Sequence, residues 1–307
     1  MAYQLYGDEA KETCTAIDAM LTDFEASTSM YKQGSCIDNI NRNAGGNSVE
    51  IDDATYDVLA RSLEISGLHE GVFDITVGAL TKLWNINSDE PHVPKDDDIK
   101  SAKALVDCSG FELRDEQGTH TARLSKEGQA IDLGGVAKGY ALDLCKEQLE
   151  KSNVDYGLIS IGGNVCVYGD KGGEKFTVGI RVPKNDSEDY YCAVKLADAI
   201  VSTTGAYERY FVENGVKYHH IIDINTGYPA VSDVVSVTVI GQNGALADYY
   251  STYCFISGLE KTLEMMADGE VTAIVMDTHS NVFVSKSLES QLVLELCDTG
   301  NYNFQFR

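Results

Sequence analysis

The sequence predicts a mixed α/β (α+β) fold. Two observations carry this. Segments with a helical period are interspersed with strand-like runs along the 307 residues, and the strands outnumber what a simple alternating βαβ pattern supplies. Antiparallel pairing is therefore expected. At ~150 residues per domain the length allows one large domain or two small ones. No composition break marks a linker, and no internal repeat or low-complexity tract interrupts the chain.

The elements follow in order. From Asp8 to about Ser27, Ala10, Cys14, Ile17, Met20, Leu21 and Phe24 recur at steps of three and four, which predicts a helix. Asp52-Asp53 offers an N-cap for a second helix carrying Val58, Leu59, Leu63 and Ile65. Ser88–Lys100 is acidic and holds Pro91 and Pro94, so it reads as a surface loop leading into a short helix near Ile99–Val106. Val136–Lys151 is helical, with Val136, Ala137, Tyr140, Ala141, Leu144 and Leu149 along one side. Strands are expected at Gly157–Tyr168, Lys175–Val182, Cys192–Leu196, Ile200–Thr204 and Val234–Ile240. Helices over Ala245–Phe255 and Leu259–Ala267 come next. Two late strands, Val271–Met276 and Asn281–Ser285, are joined by a turn at Asp277–Ser280.

Charge narrows the function. There are 48 acidic and 24 basic residues, a formal net charge of −24. That field repels nucleic acid and anionic lipid, and no Lys/Arg cluster offsets it, so no nucleic-acid partner is expected. An anionic ligand then needs a metal ion or a few placed cations. The eight cysteines contain no C-x-x-C pair, so a zinc site is not expected, and most read as small buried apolar residues. No apolar stretch approaches the ~20 residues of a membrane-spanning helix. Met1-Ala2-Tyr3-Gln4 lacks the pattern of a signal peptide, which leaves a cytoplasmic protein or one whose leader is not included here.

Four segments suggest chemistry. Ile131-Asp132-Leu133-Gly134-Gly135-Val136-Ala137-Lys138-Gly139-Tyr140 runs from a strand end through Gly-Gly into a helix. Such a junction offers free N–H groups and a positive helix end to an anion, with Lys138 in the first turn. It is neither G-x-G-x-x-G nor a Walker loop, and a tight turn with a solvated lysine explains it equally well. Ile161-Gly162-Gly163-Asn164 sits inside a strand pattern, where it marks either a close approach or a bulge. In His220-Ile221-Ile222-Asp223 a strand would put His220 and Ile222 on one face and Ile221 and Asp223 on the other. His220 could move a proton near neutral pH, although a surface histidine is the commoner case. Asp248 and Thr252, four apart on a helix, share a face. A carboxylate and a hydroxyl suit a hard cation such as Mg2+, while helix-dipole stabilisation by Asp248 is the plainer reading.

Taken together and in order, these segments resemble the FAD:protein FMN transferase (ApbE) family. The matching stretches are Gly71–Gly78 with Leu83-Trp84, Asp132–Tyr140, Ile161–Asn164, Val201–Tyr207, His220–Pro229 and Ala247–Thr252. The resemblance implies one flavin transferase domain over 1–307 of the tunnelling-fold (T-fold) type. It implies Mg2+-dependent cleavage of the FAD pyrophosphate. FMN is then joined by a phosphoester to a Ser or Thr of an acceptor protein, and AMP leaves. By position, Asp248, Thr252 and the Gly135 carbonyl match metal ligands. Tyr31, Val72, Phe73, Asp74, Asp132, Lys138 and Ile222 match FAD contacts, and His220 matches the general base. Met1–Gly7 matches only the second half of the family's opening strand, so the N-terminal strand is expected to be truncated. Ile224 replaces a proline of the family pattern and is expected to alter the turn. Many members are exported lipoproteins, so the resemblance also implies an extracytoplasmic, membrane-anchored lipoprotein whose leader is cut away here.

The physics agrees. A pyrophosphate carries about two negative charges, and Mg2+ with Lys138 would clamp it and stabilise the charge on departing AMP. A hydroxyl is a weak nucleophile that a base such as His220 activates. Two other functions compete. An FAD pyrophosphatase would use the same site with water as nucleophile, and a flavin-binding protein without turnover would have no use for a metal clamp. A structural or adhesive role leaves the ordered glycine motifs unexplained.

Overall fold

A computed structural model describes residues 1–69, 71–86, 88–184, 187 and 189–307. The helices are α1 (Ala10–Thr28), α2 (Cys36–Arg42), α3 (Asp53–Ser66), α4 (Gly78–Trp84), α5 (Asp96–Lys103), α6 (Ala137–Glu150) and α7 (Gly244–Ala267). The strands are β1 (Ala2–Gly7), β2 (Val49–Ile51), β3 (Phe111–Glu116), β4 (Thr119–Leu124), β5 (Val154–Ile161), β6 (Asn164–Tyr168), β7 (Phe176–Arg181) and β8 (Tyr190–Leu196). They continue with β9 (Ala199–Gly205), β10 (Tyr210–Glu213), β11 (Val216–His219), β12 (Val234–Gly241), β13 (Ala273–Asp277), β14 (Asn281–Val284) and β15 (Asn303–Phe306). The mixed α/β class expected from the sequence is what forms. Among the described residues no helix is long and apolar enough to cross a membrane. The chain divides into two compact units: Met1–Asp18, Lys138–Glu208 and Val231–Arg307 form the first, and Ala19–Ala137 with Arg209–Ala230 form the second.

The first unit is built on an eight-stranded sheet ordered β1-β5-β6-β9-β12-β13-β14-β15. Every neighbouring pair is antiparallel except β14 and β15. Side chains alternate across each strand, so Ala199 and Val201 of β9 face one way and Ser202 and Thr204 alternate with them. Ala199 and Val201 join a buried cluster with Phe176, Val178 and Ile180 of β7 and Cys192, Val194 and Leu196 of β8. The β7–β8 hairpin thus covers that face with apolar residues. Ser202 and Thr204 hydrogen-bond to α7, which covers the opposite face.

Three glycines correct or refine the expected boundaries. The run Gly157–Tyr168 is two strands, because Gly162 (φ +54°) and Gly163 (φ +92°) make a two-residue hairpin turn between Ile161 and its partner Asn164. The bulge reading therefore gives way to a turn. Gly258, at φ 84° and ψ 178°, interrupts α7 where the sequence separates two helices. Asp233 Oδ1 accepts from the Leu259 N–H at 2.9 Å and so caps the second half.

In the second unit Asp52 is the N-cap of α3, its side chain accepting from the Thr55 N–H at 2.8 Å, as expected. Trp84 is fully buried, and its Nε1–H donates to the Gly227 carbonyl at 2.8 Å. The short helix lies at Asp96–Lys103, earlier than expected. Asp96, Asp97 and Asp98 favour the positive N-terminal end, and Lys100 and Lys103 occupy the last turn. The small sheet β2-β4-β3, the β10–β11 hairpin, α2, α4 and β15 were not anticipated. The expected strand through His220–Asp223 also fails to form. β11 ends at His219, and Ile222 makes only an isolated bridge to Pro229. Ile221 and Ile222 are both buried, so the face alternation predicted for His220–Asp223 does not hold.

Helices α6 and α7 meet at a pair of glycines. A Cβ on Gly139 would stand 1.9 Å from the Gly244 carbonyl oxygen, and one on Gly244 would stand 2.1 Å from that of Gly139. Backbone cannot yield as a flexible side chain can. Gly139→Ala should therefore lower unfolding free energy by about 3 kcal/mol, the upper part of the overpacking range. Gly241→Ala, where a Cβ meets nothing within 4 Å, should leave the denaturation midpoint unchanged. Chemical denaturation of the two variants beside the parent checks this.

Candidate active site

The glycine crossing places the first turns of α6 and α7 together. Asp143 of α6 accepts from the Gly244 and Ala245 N–H groups at 2.5 and 2.9 Å, and Asn243 Oδ1 accepts from the Leu246 N–H at 2.9 Å. The opening N–H groups of α7 are thereby satisfied. One turn further on lies Asp248, whose side chain is 1% exposed. Its Oδ2 accepts the Gly139 N–H at 3.1 Å. Its Oδ1 accepts from Asn164 Nδ2 at 2.9 Å and from Ser202 Oγ at 2.8 Å. Lys138 Nζ stands 3.4 Å from the same oxygen.

A second row of hydroxyls follows. Thr204 Oγ1 is 2.7 Å from Ser251 Oγ and 3.2 Å from Thr252 Oγ1. Asp248 and Thr252 both reach β9 partners, so they do share the side of α7 that faces the sheet. Asn164, Ser202, Thr204 and Ser251 were given no role from the sequence. The available signal was the polar Ser202-Thr203-Thr204 run directly after the apolar Ala199–Val201. Gly205 belongs to the same motif for a packing reason, since a Cβ there would lie 2.2 Å from the Tyr207 ring.

Carboxylate and hydroxyl oxygens together are a donor set for a hard cation, and the ammonium of Lys138 already marks a cationic position beside Asp248. Among the described residues no group of three or more His, Cys, Asp or Glu could hold a metal. A cation bound here would have Asp248 as its charged ligand and neutral oxygens for the rest. Mg2+, which keeps several waters and few protein ligands, fits such a set.

The remaining sequence candidates lie in the second unit. Asp74 Oδ1 accepts from the Thr76 N–H at 2.7 Å and its hydroxyl at 2.6 Å, while Oδ2 accepts from the Cys108 N–H at 2.9 Å. The carboxylate thus braces the loop that carries Val72 and Phe73, both partly buried. Asp132 Oδ1 accepts from the Gly134 N–H at 2.8 Å, and its own N–H donates to the Ile75 carbonyl at 2.8 Å. Tyr31 is 65% exposed, Ile222 is 7% exposed, and Gly135 is partly buried. Asp223 closes the loop after the histidines, accepting from the Asn225 N–H at 2.8 Å. Ile224 is accommodated in this turn.

The two histidines differ. His220 Nδ1 lies 3.3 Å from the Arg209 carbonyl oxygen. His219 is buried, with Nε2 at 3.0 Å from the Ala230 carbonyl oxygen and Nδ1 accepting the Ile221 N–H at 3.3 Å. Both ring nitrogens are used by the neutral Nε2–H tautomer. His219 therefore braces the loop from Ile221 to Ala230. Burial holds the His219 pKa below its ordinary 6.5. The neutral ring contributes stability that is present above 6.5 and lost as the pH falls through the lower folded-state value. The denaturation midpoint should fall between neutral pH and about pH 5, and the fall should be shallower in His219→Gln. Denaturant titrations at the two pH values check this.

The model of the ApbE family matches residues 1–275. The FAD:protein FMN transferase of Treponema pallidum is 34% identical over 261 residues, covering 81% of this chain and 72% of that protein. The one from Klebsiella pneumoniae is 29% identical over 267 residues, covering 87% and 82%. Among solved structures, the ApbE protein of Thermotoga maritima superposes with a TM-score of 0.84 at 29% identity over 94% of each chain. The flavin transferase ApbE of Vibrio cholerae shares the fold, with a TM-score of 0.79 at 24% identity over 94% of this chain and 93% of that one. With its family model spanning both compact units and a curated relative above three-tenths identity, this chain belongs to the ApbE family.

Proposed function

We propose that the chain is an Mg2+-dependent FAD:protein FMN transferase of the tunnelling-fold type, working as one domain. The observation that carries this reading is the buried Asp248 carboxylate, placed beside Lys138 and a row of hydroxyls in a chain whose relatives bear that name. The acceptor's Ser or Thr oxygen attacks the FMN-side phosphorus of FAD, the bond to the AMP-side oxygen breaks, and AMP leaves with the electron pair. His220 takes the hydroxyl proton. Lys138 supplies positive charge to the pyrophosphate, which a protein of net charge −24 otherwise repels. Asp248 and Thr252 would hold the metal, and the Gly135 carbonyl is assigned to it by family position. When bound, Mg2+ would supply Lewis-acid stabilisation of charge on the phosphate oxygens. Tyr31, Val72, Phe73, Asp74, Asp132 and Ile222 are assigned to the FAD by the same positional match. The exposure of the Tyr31 ring supports a stacking role.

Incubation with FAD, Mg2+ and an acceptor peptide tests the reading. The peptide should gain the mass of an FMN phosphoryl group while AMP appears. FMN released free in solution, with no gain on the peptide, would mean that water is the nucleophile. Asp248→Ala should cut turnover at least ~100-fold, the scale of losing a charge-stabilising group in the transition state.

His220→Ala should lower kcat by about 10²–10⁴-fold while FAD affinity stays within a few-fold, because a general base acts in the transition state. Steady-state rates, with FAD titrations alongside, check both statements.

A further inference from the structure

Asp248 has a cation beside it that belongs to the chain itself. Four donors converge on this carboxylate, and they are of two kinds. Asn164 Nδ2, Ser202 Oγ and the Gly139 N–H are fixed by β6, β9 and the glycine crossing. Lys138 differs from them. Its ammonium stands 3.4 Å from Oδ1 at the end of a flexible stem, and its side chain is 37% exposed against 1% for Asp248. The stem passes the Gly162-Gly163 turn, where a Cβ on Gly162 would stand 3.3 Å from Lys138 Cδ. The turn leaves room for the lysine to lie there, and solvent is open to it when it leaves.

We propose that Lys138 is a displaceable occupant of the cation position at Asp248: a divalent metal ejects its ammonium, which then becomes available to the anionic substrate. The inference rests on the reading of Asp248 as a metal ligand. A divalent ion and an ammonium cannot share one buried carboxylate without strong repulsion over a few ångströms at low dielectric. The fixed donors keep the carboxylate oriented in both states, so only the lysine has to move. Ejecting it opposes metal binding until an anion is present to receive the ammonium. Metal and pyrophosphate then bind with positive coupling, which must be reciprocal. Lys138 is the residue that transmits it.

The test uses the full chain and Mn2+ alone as the probe, with free Mn2+ measured by electron paramagnetic resonance. Lys138→Met should bind Mn2+ about tenfold or more tighter than the parent, within the usual range of coupling between sites. Lys138→Arg, which keeps the charge, should stay close to the parent. In the parent, Mn2+ should raise the rate at which Lys138 is acetylated by acetic anhydride, read by mass spectrometry. This second measurement needs no variant to fold. Equal or weaker Mn2+ binding in Lys138→Met, or an unchanged acetylation rate, overturns the displacement. Binding that is lost in Asp248→Asn but equal in the parent and Lys138→Met overturns the displacement and leaves the metal reading standing. Binding undiminished in Asp248→Asn, or no binding by any of the proteins, overturns the metal reading as well.

Discussion

A carboxylate taken almost wholly out of water is the constraint on which the first unit depends. An unpaired charge in such a place costs several kcal/mol, and a paired one is tolerated only when its lone pairs are filled. Asp248 meets the condition by drawing on three separate elements: Lys138 and Gly139 of α6, Asn164 of β6 and Ser202 of β9. Those elements are far apart in sequence, and the shared acceptor ties them to α7. The close approach needed for the Gly139 N–H to reach Asp248 exists because neither Gly139 nor Gly244 carries a side chain. The glycines and the carboxylate are thus one device: the first bring two helix starts into contact, and the second uses the donors gathered there.

The second unit solves a different problem. Most of its motif-bearing segments are loops, and loops offer few regular backbone partners. Side chains take their place. Asn41 accepts the Ile131 N–H at 2.6 Å and returns a bond to the Ile131 carbonyl at 3.0 Å, much as a neighbouring strand would. Asp74 binds the 74–76 turn to the Cys108 N–H, and Trp84 pins the 223–230 loop through Gly227. Residues held by satisfied polar networks stay within the small tolerances that a binding site needs.

Charge explains why the two kinds of anchoring suit the proposed chemistry. Asp248 and Lys138 cancel, so the hydroxyl-rich cluster they share is close to neutral although the chain as a whole is strongly acidic. A divalent cation added there gives a local excess of about two positive charges, which matches a pyrophosphate of about two negative charges. A site with three carboxylates would bind the metal more tightly and leave no charge for the substrate.

Local pattern determined a large part of this protein. The helical period of Asp8–Ser27, the cap at Asp52, the break near Gly258 and the antiparallel mixed fold were legible, because they rest on residues close together in the chain. The i,i+4 spacing put Asp248 and Thr252 on one face for the same reason. The ordered motifs identified the family. Only the tertiary structure decided what those residues touch. Nothing local announces that Gly139 must meet Gly244, that Asn164 and Ser202 complete the shell of Asp248, or that His219 is a brace and His220 ends outside the strand. The glycine crossing and the shell of Asp248 join residues far apart in the chain, and a missing Cβ or a burial cost enforces them. The sequence carries the residue that satisfies such a demand, and the demand itself exists only in the folded chain.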